Sequence, residues 1–322
     1  MQRMPPWTAI ALAASLLAGG AHAFGDKPVR LIVPAPPGGT IDVFARIISD
    51  QLAQEIRQPV IVENRPGAGG AIAVKHMLSQ SADGSTLLVT VTNILTEVPH
   101  VLKVGFDPMK DVRPVAQMAR SVMLFIASPQ FPARDGAEAI AYVKAHPGTL
   151  SFASYSQGTA SQYAGAILNR RAHLDMEHVA FPGSAPALAQ VMGNQIPLMF
   201  DGSVTSKPLI AGGKVRLLAV AYKSRLPDYP QVPTLAELGY PEVDFSNWSG
   251  VFASAQTPRP LLEKIHGALA RVNARKAVRE RYAGTGFEPV EGDRSLEQMS
   301  TDLRTEFDRN AEIVRNFDIR LN

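Results

Sequence analysis

Gly38, Gly39 and Thr40 join an apolar run, Leu31-Ile-Val-Pro-Ala-Pro-Pro37, to a segment whose apolar residues Ile41, Phe44, Ala45, Ile47, Ile48 and Leu52 recur at helical spacing. The chemistry such a junction offers is anion binding. Glycines let the backbone approach a ligand closely, and the helix start beyond them presents N–H groups and the positive end of a dipole. The same residues also read as an ordinary strand-to-helix turn capped by Thr40. A second copy follows about thirty residues on: Val60-Ile-Val62, then Glu63-Asn-Arg-Pro-Gly-Ala-Gly-Gly70, then the helical Ala71-Ile-Ala-Val-Lys-His-Met-Leu78. If the two strands are neighbours in a parallel sheet, both helix starts open at one edge, where open α/β sheets bind ligands.

These turns need strands and helices to hold them, and the rest of the chain supplies both in alternation. Strands are expected over 85–91, 122–127, 150–154, 196–200 and 215–221, and helices over 136–145, 261–272 and 296–317, with a loop-rich stretch through Pro99, Asp107 and Asp111. Further strand-to-helix junctions lie at Ser154-Tyr-Ser-Gln-Gly-Thr159 and at Val179-Ala-Phe-Pro-Gly-Ser184, and another strand ends in Asp201. Alternation of this kind predicts α/β layers with mainly parallel sheets. Two sets of turns, one in the first hundred residues and one between about 150 and 205, predict two lobes facing one cleft, with crossings near Val122 and Trp248.

Arg3, the nearly apolar stretch 7–17 and Ala21-His-Ala23 read as a secretory leader over 1–23, with the mature chain beginning near Phe24. No later stretch reaches the roughly 18 uninterrupted apolar residues of a membrane helix, so an exported chain without membrane insertion is expected. The absence of cysteine rules out a lipid anchor on cysteine, disulfides and thiol catalysis. With 32 basic and 29 acidic residues and no basic cluster, no nucleic-acid surface is indicated. His173 and His178 lack a third ligand, so no metal is expected. Gly67-Ala-Gly69 is followed by Ile72 where a dinucleotide loop needs glycine, so no cofactor is expected. Gly-x-Ser-x-Gly and Ser-x-x-Lys are missing, so no catalytic residue is assigned.

Several dispersed motifs resemble the Bug receptors, the periplasmic substrate-binding proteins of tripartite tricarboxylate transporters. They are Pro28-Val-Arg-Leu-Ile-Val-Pro34, Pro37-Gly-Gly-Thr-Ile-Asp-Val-Phe-Ala-Arg46, Val62-Glu-Asn-Arg-Pro-Gly-Ala-Gly-Gly70 and Pro230-Gln-Val-Pro-Thr-Leu-Ala-Glu-Leu-Gly239. The likeness continues through 179–201, Trp248-Ser-Gly-Val-Phe252 and Thr257-Pro258. It implies a two-lobed, Venus flytrap α/β fold, with 24–122 and 250–322 as the first lobe and 123–249 as the second. It also implies a monomeric receptor that binds a small carboxylate and delivers it to membrane permease subunits from the periplasm. The carboxylate would lie between Ala35, Gly38, Gly39, Thr40 and Asp42 on one turn and Ala68 and Gly69 on the other.

For the second lobe the resemblance points to Ser154, Gly158, Thr159, Gly183, Ser184 and Asp201, with Trp248 as a wall at the hinge. Each has a structural alternative: hydroxyls cap helices, Asp42 stabilises a helix start and pairs with Arg46, Asp201 ties down its own loop, and Trp248 packs in the core. Ser156 and Gln162 depart from the family pattern, where glycine and histidine are frequent. A secreted α/β enzyme with Asp42 or Asp201 as base is the alternative class.

Overall fold

The computed structural model describes residues 27–317 except Ser246 and Glu291, so the leader expected over 1–23 lies outside the described residues. The chain runs β1 (Val29–Val33), α1 (Thr40–Ile56), β2 (Val60–Asn64), α2 (Ala71–Leu78), β3 (Thr86–Val91), β4 (Val112–Arg120) and β5 (Met123–Ala127). It continues through α3 (Gly136–Ala145), β6 (Leu150–Ser154), α4 (Ala160–Ala172), β7 (Met176–Ala180), α5 (Ser184–Met192), β8 (Leu198–Gly202), α6 (Ser203–Ala211) and β9 (Arg216–Ala221). It ends with β10 (Trp248–Ser254), α7 (Arg259–Ala274), α8 (Lys276–Thr285), β11 (Glu288–Pro289) and α9 (Leu296–Phe317).

Two sheets form, ordered β11-β4-β10-β3-β1-β2 and β7-β6-β8-β5-β9. β1 pairs in parallel with β2 and β3, as β6 does with β7 and β8. β10 runs antiparallel to β3 and β4, and β5 antiparallel to β8 and β9, so both sheets are mixed where mainly parallel ones were expected. The cause is the crossing. A strand arriving from the other lobe enters at the edge where β1, β2, β6 and β8 end, and must run away from it.

Each sheet is covered by amphipathic helices. In the first lobe Ile41, Phe44, Ile48 and Leu52 of α1 are buried, Phe44 stacks on Tyr282 of α8 at 5.8 Å, and Glu55 pairs with Arg271 and Arg275. Burying one such apolar side chain contributes about 1.5–3 kcal/mol. The second lobe centres on Phe125 stacked 4.7 Å from Phe200, with Phe152 edge-on. α9 spans both: Leu303 packs with Ile32, Leu88 and Phe252, while Ile313, Val314 and Phe317 pack on the second core. Among the described residues no helix is long and apolar enough to cross a membrane.

Candidate functional site

Because β1 and β2 are parallel neighbours, their turns open at one edge, and the ends of β6 and β8 face them from the other sheet. A cavity of about 400 Å³ lies between. Ala35, Gly39, Thr40, Ala68 and Gly69 line it from the first lobe, and Thr159, Gly183 and Ser184 from the second. The lobes touch around it. Tyr163 Oη donates to the Glu97 carbonyl at 2.9 Å, Asn93 Nδ2 donates to Tyr155 Oη at 3.1 Å, and the hydroxyls of Thr40 and Thr205 lie 3.3 Å apart. Gly183 packs so close to Pro36 that a Cβ on it would sit 2.6 Å from the proline Cγ.

The helix starts at this edge lack side-chain caps. α1 begins after Gly39, the turn Ala68–Gly70 after Gly67, α4 after Thr159 and α5 after Gly183, and none of these residues bonds its helix through a side chain. By contrast α3, away from the cavity, is capped by Asp135, whose carboxylate accepts from the Glu138 amide at 2.9 Å. Among the described residues that line the cavity none is charged. Its polar character therefore comes from main-chain amides, hydroxyls and side-chain amides, and uncapped helix starts favour a negative group.

Six expected site residues lie behind the wall rather than on it. Gly38 donates its N–H to Asp42 Oδ2 at 2.9 Å, which leaves the amides of Thr40 and Ile41 to open the helix. Asp42 is buried and accepts from Gly38, from Arg46 Nε at 2.9 Å, and through Oδ1 from Asn64 Nδ2 at 2.9 Å. Asn64 Nδ2 also reaches the Ala35 carbonyl at 2.9 Å, so this pair locks the two glycine turns together. Burial pushes the Asp42 carboxyl up, but the bonds from Arg46, Gly38 and Asn64 outweigh it and hold it below the usual carboxylate range. It is ionised, neutralised locally, and turned away from the cavity.

Asp201 is fully buried, accepting from Ser184 Oγ at 2.7 Å, Thr205 Oγ1 at 2.6 Å and Ser206 Oγ at 2.7 Å. Burial pushes its carboxyl up despite these bonds. Ser154 is also buried, its hydroxyl donating to the Ser156 carbonyl and lying 2.6 Å from His178 Nε2. Gly158 gives its N–H to Gln162 Oε1 at 2.6 Å, so the glutamine that departs from the family pattern braces this turn. Trp248 sits in the first-lobe core rather than on the cavity wall, stacked 5.2 Å from Phe252 and packed with it against Ile32 and Leu88. Gly250, between them, makes room: a Cβ there would meet the indole at 2.6 Å.

The wall instead carries Asn93, Tyr155, Phe181, Phe245 and Asn247, which were not anticipated. Tyr155 and Phe181 each directly follow a strand end, Ser154 and Ala180, and that position was the available signal. Burial pushes the Tyr155 hydroxyl far up, so it stays neutral.

Two α/β lobes closed over an uncharged cavity of helix starts are the architecture of the two-lobed periplasmic binding proteins. The chain belongs to the family described as tripartite tricarboxylate transporter family receptor, which matches residues 44–319. A curated relative from Pseudomonas sp. strain P51, the UPF0065 protein of the tcbD-tcbE intergenic region, is 32% identical over 303 residues, covering 93% of this chain and 89% of the relative. Among solved structures, the periplasmic binding protein BugD superposes with a TM-score of 0.86 at 28% identity, covering 91% of this chain and 98% of BugD. MatC from Rhodopseudomonas palustris, solved with malate, gives 0.84 at 31% identity over 89% of this chain and 98% of MatC. A second R. palustris protein, solved with adipate, gives 0.86 at 28% identity over 91% and 98%.

Proposed function

We propose that the protein is an extracytoplasmic solute receptor that captures a small organic carboxylate between its lobes and hands it to the permease subunits of a tripartite tricarboxylate transporter. The mature chain acts as a periplasmic monomer without cofactor or metal, and its first lobe takes in β10 from Trp248 on, two residues ahead of the boundary expected at 250. The observation that carries this reading is the uncharged cavity into which uncapped helix starts of both lobes open. The malate of MatC and the adipate of its R. palustris counterpart support a carboxylate as the ligand. Charge-assisted bonds contribute about 1.5–3 kcal/mol each, so three or four from the turns approach the ~8 kcal/mol of a micromolar site. Shifting the lobes from 1:99 to 99:1 closed takes about 5.5 kcal/mol of preference, which second-lobe contacts made only on closure supply.

The enzyme reading fares worse. Asp42 and Asp201 are engaged behind the wall, and the Ser154 hydroxyl beside His178 is buried away from the cavity. Burial lowers His178 to about 4, a poor base at neutral pH. The test is a thermal-shift screen of refolded, ligand-free protein with dicarboxylates, tricarboxylates, aromatic acids and amino acids. Saturation at 100 Kd adds about 2.7 kcal/mol, a rise of several degrees. No stabilisation by any acid, with no small molecule in the native mass spectrum of freshly purified protein, overturns the receptor reading. Recovery of a chemically altered acid favours the enzyme.

A further inference from the structure

Resting on the carboxylate-receptor reading, we infer that the cavity selects an acid that also carries hydroxyl or ammonium hydrogens, because side-chain oxygens of its wall are fixed as hydrogen-bond acceptors, with Asn93, Asn247 and Ser184 as the determinants. The argument follows the protons. Asn93 commits its Nδ2 to Tyr155 Oη at 3.1 Å, and Asn247 commits its Nδ2 to Glu97 Oε1 at 3.2 Å. Both residues line the cavity. Neither Oδ1 accepts from any described residue, and neither is sealed inside the protein, so each amide turns its carbonyl oxygen to the cavity.

Hydroxyls on the wall follow the same rule. Ser184 Oγ donates to Asp201 Oδ1 at 2.7 Å, and Thr159 Oγ1 donates to the Ser156 carbonyl at 2.8 Å. Thr205 gives its proton to Asp201 Oδ2, so the Thr40 hydroxyl, 3.3 Å away, is the donor of that pair. A hydroxyl has one hydrogen and two lone pairs, so each of these wall oxygens has only lone pairs left for a ligand. Ser121, Tyr155, Ser156 and Gln157, the other polar side chains on the wall, keep hydrogens of their own and adapt to either polarity. Donors and acceptors are therefore divided by kind rather than by lobe. Main-chain amides at the helix starts of both lobes supply what a carboxylate needs, and oriented side-chain oxygens take up hydrogens from the rest of the ligand. Asp201 and Glu97 do not line the cavity; acting through Ser184 and Asn247, they are positioning residues that set this polarity. An unsubstituted acid enclosed here strips water from the wall oxygens and gives them no hydrogen in return, whereas a hydroxyl or ammonium group bonds them.

Matched acids separate these hydrogens from the carboxylate. Calorimetric titration of refolded, ligand-free protein compares succinate with malate and aspartate, tricarballylate with citrate, and benzoate with 4-hydroxybenzoate. The tightest binder should be a substituted acid with a Kd at least about tenfold below that of its unsubstituted partner. Within the succinate trio, malate ahead of aspartate identifies a hydroxyl and the reverse an ammonium. Ser184→Ala and Asn93→Leu probe the wall at two places, and a narrowing of that gap by at least about threefold is expected in one or both. An unsubstituted acid that binds within tenfold of its substituted partner, or a gap unchanged in both variants, overturns the inference and leaves the carboxylate-receptor reading intact. Failure of every acid overturns both.

Discussion

Asp42, in the first turn of α1, and Asp201, near the end of β8, are each buried behind the cavity wall and each held by at least three donors, yet they do opposite things. Asp42 has Arg46 among its donors and is drawn below the usual carboxylate range, so it is a charge clamp. Asp201 has three hydroxyls instead, and burial drives it upward. The first clamp joins two turns that contribute backbone, through Asn64 and the Ala35 carbonyl. The second pins Ser184 at one helix start and Thr205 and Ser206 at another. Local neutralisation of Asp42 lets neighbouring amides serve an anion; Asp201 has no arginine beside it and instead fixes the Ser184 hydroxyl at the wall.

Removing the first clamp should have the largest effect. Asp42→Ala leaves the Gly38 amide, Asn64 and Arg46 without their common acceptor, and a loss of about 2–4 kcal/mol is expected, discounted because Arg46 is half-exposed. Urea unfolding measures it, and carboxylate affinity should fall as well. Asp42→Asn, keeping an acceptor but not the charge, should lose about half as much. A carboxylate held below its ordinary value of 3.8 stabilises above that pH, and the benefit disappears as pH falls through the lower folded value. The difference between wild type and Asp42→Asn should therefore vanish in strong acid.

Gly183→Ala tests the contact between the walls. Its Cβ would press on Pro36 across the cleft, and Gly183 has φ +127°, which alanine tolerates poorly. Closure should be opposed, with affinity about tenfold weaker and a larger ligand-bound radius of gyration in solution scattering, at a stability loss near 1 kcal/mol. Unchanged affinity would mean that the lobes bind without closing at this rim.

How far the molecule was legible follows the same division. The first-lobe wall could be read from sequence because its features are local: an apolar run, a glycine turn, then Ile41, Phe44 and Ile48 at helical spacing, all within one strand-to-helix unit. In the second lobe Thr159, Gly183 and Ser184 were legible in the same way, but Tyr155, Phe181 and Phe245 were not, because they depend on which way a side chain points and on partners far along the chain. Asp201 meets Ser184 across 17 residues, and Asn93 meets Tyr155 across 62. Trp248 was misplaced for this reason: it marks the hinge in sequence, but it packs in the core with Ile32, Leu88 and Phe252, while Phe245 and Asn247, in the crossing just before β10, line the cavity. β4 was hidden by Pro114 and by register shifts against β10, which break the strand pattern.

Glu97 sharpens the comparison from within the first lobe, since it behaves like Asp201. Burial, reinforced by Glu306 and opposed by Asn247 and Arg309, raises it to about 8. The folded state then keeps a proton that the unfolded chain releases near 4.5, so this contribution is complete below that pH and is lost as pH climbs towards 8. Urea midpoints should fall over that window by an amount equivalent to at least about 1 kcal/mol, and Glu97→Gln should flatten the profile. A flat wild-type profile would show that Glu97 is ionised and paired at neutral pH.

The smallest effect is expected at Asp201→Asn, and it bears most directly on the contrast between the two aspartates. If Asp201 is a hub for hydroxyls rather than a charge, asparagine fills the same space, its Oδ1 keeps an acceptor for Ser184, and the hydroxyls of Thr205 and Ser206 rotate to accept from its Nδ2. Removing a buried charge that lacks a cation offsets the poorer fit, so stability should stay within about 1 kcal/mol of wild type and improve relative to it at alkaline pH. The sign follows from the raised carboxyl, which destabilises the fold increasingly as pH rises through its folded value. A loss as large as that of Asp42→Ala would mean that the charge on Asp201 is held by the structure after all, and that the two lobes support their walls in the same way.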